Sequence, residues 1–475
     1  MSQVANKDLF ENMPIPKAIA ALAVPTVISQ LIALVYNMVD AFFIGRTGNS
    51  YMIAGSALAY TIFLMTIAFS NMFGLGGGSL VARLSGIHEY DEARKVSSFS
   101  FFGAIVSALL YSLLIGLFME PILILFGASP MTLGFAKEYT FIVVVLGNVP
   151  VILSTTIAHL LRNVGFSKQS SIGLSMGGIL NIILDPIFMF VILPDGMEVV
   201  GASVATLLAN IIACIYLMHI YRKASSSSPL SMNLSDAKTI RKRDVKELFA
   251  VGIPAAILTT LFDAANIVLN AITATYGDFM VAALGIAMKA ERVAYSFNLG
   301  ICQGMMPLLA YNYGSGNLKR MSDTIRIGRL IGLSACVASS LIILACASPI
   351  ARFFMSTSAG NAEEAMITIG AAIIITRIRT AGLPSMFLNY HTSVCLQAMG
   401  NGRGTLIHAF VRELVFYIPF MFILNSLMGS TGLALSLFAG ETCGAIYGLL
   451  ALRNFLRKNK LKLPSGGEIN VRYKK

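Results

Sequence analysis

Twelve apolar runs, each long enough to cross a bilayer as a helix, leave this chain few folds to choose from. A hydrocarbon core about 30 Å thick needs about 20 apolar residues of helix. In lipid, every backbone polar group must also be satisfied within its own helix or in a closed barrel. The runs lie at 17–45, 51–84, 96–119, 136–161, 169–193, 199–221, 246–273, 279–312, 325–349, 364–395, 403–427 and 431–456. They are numbered here as spans 1 to 12. Several exceed the minimum length, which predicts tilt or kinks. Only 12% of the residues are charged, against about 25% in soluble globular chains. The expected fold is an all-α polytopic membrane protein. The first sixteen residues are polar and mixed in charge, with no small-residue cleavage site after them, so span 1 reads as a retained span.

The loops orient the chain. Lys and Arg gather in 86–95, 162–168, 222–246, 314–329, 401–403 and the tail from 453 onward, whereas the opposite loops carry little beyond Arg46 and Arg352. Basic loops stay inside. The expectation is a multi-pass protein of the plasma (inner) membrane with both termini cytoplasmic. The net charge of +12 then reflects topology and anionic-lipid contact rather than nucleic acid. The stretch "KASSSSPLSMNLSDAKTIRKRD" is Ser-rich and then basic, and it opens a cytoplasmic linker at 223–245. It separates a six-helix lobe at 1–222 from a second at 246–475, which ends in a basic cytoplasmic tail.

The two halves repeat. "VPTVISQLIALVYNMVDAFFIGRTG" begins at Val24 and "IPAAILTTLFDAANIVLNAITATYG" at Ile253. At this offset Pro25 meets Pro254, Asn37 meets Asn266 and Gly48 meets Gly277. Met52 and Met280, Gly76 and Gly304, Gly86 and Gly314, Pro150 and Pro384, Gly165 and Gly400, and Gly201 and Gly432 follow in order at drifting offsets. Six spans per half is an even number, so the repeats run parallel, related by an axis along the membrane normal, with a central cleft between them. That arrangement suits alternating access.

Against this background a carboxylate inside "LVYNMVDAFFIG" requires explanation. Ionised Asp40 at mid-helix costs about 2.5–3.5 kcal/mol on insertion scales. Span 5 carries "NIILDPIF", with Asn181 and Asp185 one helical turn apart on one face. Counted along their helices, Asp40, Asp185, Thr206 of span 6 and Tyr139 of span 4 fall in the outer half of the N-terminal bundle. Two carboxylates, an amide, a hydroxyl and a phenol at one depth can hold Na+ or share a proton. A purely structural hydrogen-bond network is the competing reading. The repeat weighs against it: Asp40 aligns with Leu269, and Asp185 with Ile418 or Pro419. Chemistry found in one half alone is not required by the fold. Six cysteines, Cys214, Cys302, Cys336, Cys346, Cys395 and Cys443, lie in apolar stretches without a CxxC pair, and the five histidines form no HExxH cluster. They offer neither a disulfide framework nor a transition-metal site.

These residues carry a resemblance. The "P…NxxD…G" pattern of span 1, "LGGGSLVARLSG", "LLRNVG", "NIILDPIF", "VGASVAT" and "GICQGMMPLLAYNYGSGN", in this order over nearly the whole chain, resemble the multidrug and toxic compound extrusion (MATE) family. The resemblance implies twelve transmembrane helices in two six-helix lobes around a central cleft. It implies a secondary antiporter, not an enzyme, that exports organic cations or amphiphiles in exchange for H+ or Na+, without a cofactor. In the prokaryotic branch with an N-lobe cation site, the coupling residues fall on Asp40, Asn181, Asp185 and Thr206, with Tyr139 nearby, and the first four are the ligands a Na+ ion would take. Span 4 departs from the pattern: "ILSTTIAHLL" offers Thr155, Thr156 and His159 where some members place asparagines.

Asn37, Asp263, Asn266 and Met288 are the candidate cleft contacts for substrate. Another branch of the family couples through an acidic residue close to Asp263, and the alternative for Asp263 is a salt bridge to Lys289 or Arg377. Arg292 and Arg412 read as braces at loops or helix ends, and His159 as an interfacial histidine. The partners expected are a small-molecule substrate and membrane lipids, with no nucleic acid, and the chain is expected to act as a monomer. A lipid-linked flippase of related architecture is the rival function, kept open by Lys289, Arg292, Arg377 and Arg379; a channel or membrane enzyme is a further one. The orientation is testable with cysteines introduced at Ser227 and Gly196 and labelled from outside intact cells. Gly196Cys is expected to react and Ser227Cys to stay protected; the opposite pattern inverts the topology.

Overall fold

The computed structural model describes residues 7–355 and 362–459. The basic tail expected beyond 459 lies outside the described residues. Within them, every regular element is a helix. Eight helices are long and apolar enough to cross a membrane, and ten if each of two bent pairs counts as one span. Spans 1, 2 and 3 are Ile15–Arg46, Ser50–Gly86 and Tyr90–Leu125. Spans 5, 6, 7 and 9 are Ser167–Ile192, Glu198–Ala224, Lys242–Ala274 and Leu318–Met355. Span 4 is bent by 50° between Leu133–Leu146 and Asn148–Asn163, and span 10 by 44° between Glu363–Thr380 and Leu383–Ala398.

The last two spans are arms of one hairpin. Helix Gly402–Lys458 is 57 residues long, but Gly429 breaks it at φ 62°, ψ −143°. Beyond that glycine the chain doubles back, so that Gly440 abuts Tyr417, Gly444 abuts Arg412 and Gly448 abuts His408. Span 8, Asp278–Gly314, has 37 residues; Lys289, Glu291, Arg292, Asn298 and Gln303 dilute its apolar character. Twelve passes result, one for each apolar run.

The repeat is written into the backbone. Gly48 and Gly277 both take positive φ, 67° and 99°, and Gly165 and Gly400 do so at 94° and 75°. Each pair ends equivalent helices in a conformation that side chains resist. Pro150 and Pro384 both sit in the first turn after a bend, in spans 4 and 10, where the missing N–H has no helical partner to lose.

Contacts between the halves follow the same symmetry. A Cβ on Gly76 would stand 2.8 Å from Cα of Gly252, and one on Gly304 would stand 2.4 Å from Cα of Ala23. Ala23 is the repeat partner of Gly252. Nearer the helix ends, Gly86 abuts the Tyr311 carbonyl and Gly314 abuts the Arg83 carbonyl. Spans 2 and 7, and spans 8 and 1, thus cross backbone to backbone, which small residues permit in membranes. Polar bridges reinforce this end: Asn71 donates to Thr259 at 3.1 Å, Arg162 to Gln303 at 3.1 Å, and Arg83 to the Ala398 carbonyl at 3.3 Å. All these contacts lie in the halves of the helices nearest the 223–245 linker. At the opposite end the same helices present half-exposed polar groups, Asp40 and Asp263 among them, to the cleft.

A branched side chain at a crossing glycine is expected to separate the halves. A Cβ on Gly252 would meet the Met72 carbonyl at 2.1 Å, whereas one on Gly285 meets nothing within 4 Å. Gly252→Val should cost about 1–3 kcal/mol by overpacking, and Gly285→Ala should cost nothing. Thermal unfolding in detergent checks the contrast; equal midpoints would contradict it.

Candidate functional site

The N-terminal half holds a pocket of oxygens short of hydrogen donors. One helical turn brings Asn181 and Asp185 to the same face of span 5. The Asn181 amide spends both N–H groups, donating to Asp185 Oδ1 at 2.9 Å and to Thr206 Oγ1 of span 6 at 3.1 Å. Asp185 is fully buried and Asn181 nearly so. What remains is acceptor capacity: Asp185 Oδ2, Asn181 Oδ1 and Asp40 Oδ1 are all buried without a hydrogen-bond partner. The fields of Asp40 and Asp185 act on each other and on Tyr139. Tyr139 packs among Met52, Ala59, Val143 and Val199 as one wall of this region. Locally, Pro186 withholds a backbone N–H directly after Asp185, and a π-helical stretch, Phe188–Ile192, follows. The bond network joins three of the five expected residues directly; Asp40 and Tyr139 enter through electrostatics.

The donor set decides what the pocket can hold. Among the described residues, no three His, Cys, Asp or Glu side chains gather as a metal site. Two carboxylates, an amide oxygen and a hydroxyl are hard oxygen ligands, which fit an alkali cation. The same carboxylates can instead share one proton.

The expected cleft residues are dispersed around the space between the halves. Asn37 bonds back to the Ala33 carbonyl at 2.7 Å, and Asn266 to the Phe262 carbonyl at 3.1 Å. These bonds are repeat equivalents, so the amides first serve their own helices. Asn266 and Met288 line a small cavity in the C-terminal half, together with Phe262, Arg292, Tyr295 and Arg379.

Asp263 does not pair with Lys289 or Arg377. Lys289 sits over the Phe354 ring at 4.7 Å, Arg377 is exposed, and the cation whose field reaches Asp263 is Arg292. Asp263 is half-exposed and makes no ion pair within 4.0 Å among the described residues. The buried cation of span 10 is instead Arg379, held by Glu291 at 2.5 and 2.9 Å. Nor does Arg412 brace a helix end. It is 1% exposed, forks onto Glu441 at 2.5 and 3.0 Å, and lies over the Tyr390 ring at 5.0 Å. Asn389 donates to Glu441 at 2.7 Å, and its Oδ1 accepts from His408 Nε2 at 3.0 Å. An amide oxygen only accepts, so His408 Nε2 carries the proton. His159 is likewise buried rather than interfacial, packed on Gly74 beside Arg162. Sequence reasoning missed the Arg412–Glu441 network because 29 residues separate the partners, and only the reversal at Gly429 brings them together.

The MatE family model matches residues 25–187 and 254–423. The chain is 32% identical over 458 residues to the Multidrug export protein MepA of Staphylococcus haemolyticus, covering 96% of this chain and 97% of that one. It is 31% identical over 457 residues to the protein of that name from Staphylococcus aureus (strain NCTC 8325 / PS 47), covering 95% and 96%. Among solved structures, a MATE in complex with MaL6 superposes with a TM-score of 0.90 at 22% identity, covering 97% of this chain and 100% of that one. An outward-facing multidrug resistance MATE transporter of the MOP superfamily superposes with a TM-score of 0.89 at 22% identity and the same coverage.

The C-terminal network is expected to be structural. Arg412→Leu leaves Glu441 and Glu413 buried without their cation, a loss of about 3–5 kcal/mol. Thermal unfolding of the purified variant measures it, and a midpoint equal to that of the parent protein would refute the assignment.

Proposed function

This chain belongs to the MatE family, and on that premise we propose that it exports organic cations and other amphiphilic drugs across the plasma membrane in exchange for H+ or Na+. It is a transporter and not an enzyme. The observation that carries the coupling proposal is the set of three buried, unpartnered oxygens on Asp40, Asn181 and Asp185. Two of them belong to carboxylates that, among the described residues, no basic side chain pairs with, and the third to the amide that bonds Asp185. A cation or a proton supplies what they lack.

The mechanism follows from charge. Asp40 and Asp185 repel each other across the pocket, and one bound cation relieves that repulsion. An ion drives a conformational change only through different affinity for the two states. The pocket provides such a difference if the helices around it move, and Pro25 gives span 1 a place to bend. Contacts at the linker end close the cleft there, which suits a state open to the opposite side. Binding of the ion neutralises the negative partner of a cationic drug, and the drug leaves. Asn181 positions both Asp185 and Thr206 through its two N–H bonds, while Tyr139 walls the pocket.

Asp40→Asn and Asp185→Asn are each expected to lower gradient-driven efflux about tenfold or more, with the double variant no worse than either single one, as groups acting as a unit behave. Efflux of a fluorescent cation from proteoliposomes, with pH and Na+ gradients imposed separately, reads this and identifies the ion. Full efflux in either single variant, or additive partial losses, would place coupling elsewhere.

A further inference from the structure

The chain ahead of span 1 is seated on the opposite half. Lys7–Glu11 is a short helix, and Asn12 and Met13 turn back on it, donating to the Asp8 carbonyl at 3.0 and 2.8 Å. Pro14 then leads directly into span 1. Leu9 and Phe10 are buried. They share a cluster with Ile301, Leu308 and Tyr311 of span 8, and Ile327 and Ile331 of span 9 pack against it. The Phe10 and Tyr311 rings stack at 5.0 Å.

Polar contacts fix this seat. A helix ends in carbonyls that no N–H of its own reaches. Here Arg320 of span 9 supplies the donors: Nε donates to the Phe10 carbonyl at 2.7 Å, and Nη2 to the carbonyls of Leu9 and Met13 at 3.2 and 2.6 Å. Asn312 donates to the Phe10 carbonyl at 3.2 Å, and the Tyr311 hydroxyl to Glu11 at 2.6 Å. Among the described residues, every side-chain hydrogen bond of Arg320 goes to this segment. Span 1 itself is also tied to the first half, since Ser167 of span 5 donates to the Leu22 carbonyl at 2.6 Å. Parting the halves at this end therefore pulls residues 7–14 against their seat.

The segment ahead of span 7 is fastened at the equivalent place on the first half. At the offset that pairs Gly86 with Gly314, Glu92 meets Arg320. Arg241 donates to Glu89 at 2.8 Å and stands 3.3 Å from Glu92. Each half thus holds the lead-in to the other half's first span, with the guanidinium on opposite sides of the contact. The N-terminal seat lies at the water-facing surface, where Asn12 and Pro14 are exposed. A carbonyl that leaves Arg320 there passes to water at small net cost. The Arg412–Glu441 pair, with both side chains 1% exposed, has no such exchange open to it.

We propose that residues 7–14 are a latch: seated on spans 8 and 9 they hold the linker end of the cleft shut, and they leave Arg320 and the Tyr311 ring before the cleft opens at that end. The inference rests on the export reading above and adds the device that times its closure. Binding at the cleft shifts the equilibrium between seated and released segments only through different affinity for the two states.

Met13→Cys and Arg320→Cys together, joined across the seat by a flexible bis-methanethiosulfonate, are expected to stop efflux of a fluorescent cation from proteoliposomes. A reductant that cuts the tether is expected to restore it, and the two single changes, treated alike, are the controls. Joined protein that exports as fast as the reduced protein overturns the latch and leaves the export reading standing. A second measurement does not depend on transport. Ser79 is fully buried in span 2, beside Arg83 at the junction. A cysteine in its place, read by mass spectrometry, is expected to react with a maleimide about fivefold or more faster when Arg320→Ala is added, the scale of one lost hydrogen bond. An unchanged rate overturns the latch. Parent protein that exports nothing overturns the export reading, and the labelling rates then decide the latch by themselves.

Discussion

A polar group in hydrocarbon must find a partner, and most of this structure follows from how each buried one does so. Water is absent from the bilayer core, so helices satisfy the backbone and side chains must satisfy one another. In the C-terminal half the buried ions largely follow this: Arg379 takes Glu291, Arg412 takes Glu441, and Asn389 and His408 complete the second pair. Amides on cleft-facing helices bond their own carbonyls one turn back, as Asn37 and Asn266 do. Other buried atoms have no hydrogen-bond partner, among them oxygens of Asp40, Asn181 and Asp185 in the first half and both side-chain polar atoms of Asn298 and both carboxylate oxygens of Glu413 in the second.

Duplication explains the frame but not these sites. The paired glycines, the bends in spans 4 and 10, and the reciprocal crossings of spans 1, 2, 7 and 8 are held in common by the halves. They are backbone features, fixed by where a Cβ fits and where a helix must turn. Asp40 and Asp185 meet Leu269 and Ile418 or Pro419 across the repeat, and Arg379, Arg412 and Glu441 serve the second half alone. An approximately symmetric scaffold thus carries different buried ionisable groups in its two halves: two carboxylates without a basic partner in the first, and guanidinium–carboxylate pairs in the second.

What could be read from the sequence was whatever depends on local spacing or on the repeat. The twelve runs, the drifting offsets and the four-residue step from Asn181 to Asp185 all survive in the folded chain, because helical periodicity carries them directly into space. Charge partners were harder. For Asp263 the alternative to a functional role is a salt bridge to Lys289 or Arg377; neither bridge forms, and sequence does not report which residues of other helices a given face meets. Arg412 was expected at a helix end, but the hairpin at Gly429 folds Glu441 onto it. His159 was expected at an interface, and the packing of span 4 against Gly74 buries it. Each of these depends on how helices distant in sequence pack together.

The junction at the linker end explains how such a frame can be both firm and mobile. Glycine against glycine or alanine gives close backbone contact there, beside a core in which Ile19 and Leu22 of span 1 pack on Ile301 and Leu308 of span 8. The bonds that cross the junction include Asn71 to Thr259, Arg162 to Gln303, Arg83 to the last carbonyls of span 10 and to Glu247, Tyr311 to Glu11, and Arg320 to the carbonyls of Leu9, Phe10 and Met13. Each is worth about 0.5–3 kcal/mol net. Together with the core beside them, they exceed what one lost contact releases, so a separation of the halves at this end would have to exchange these partners for others, water among them, rather than simply give them up.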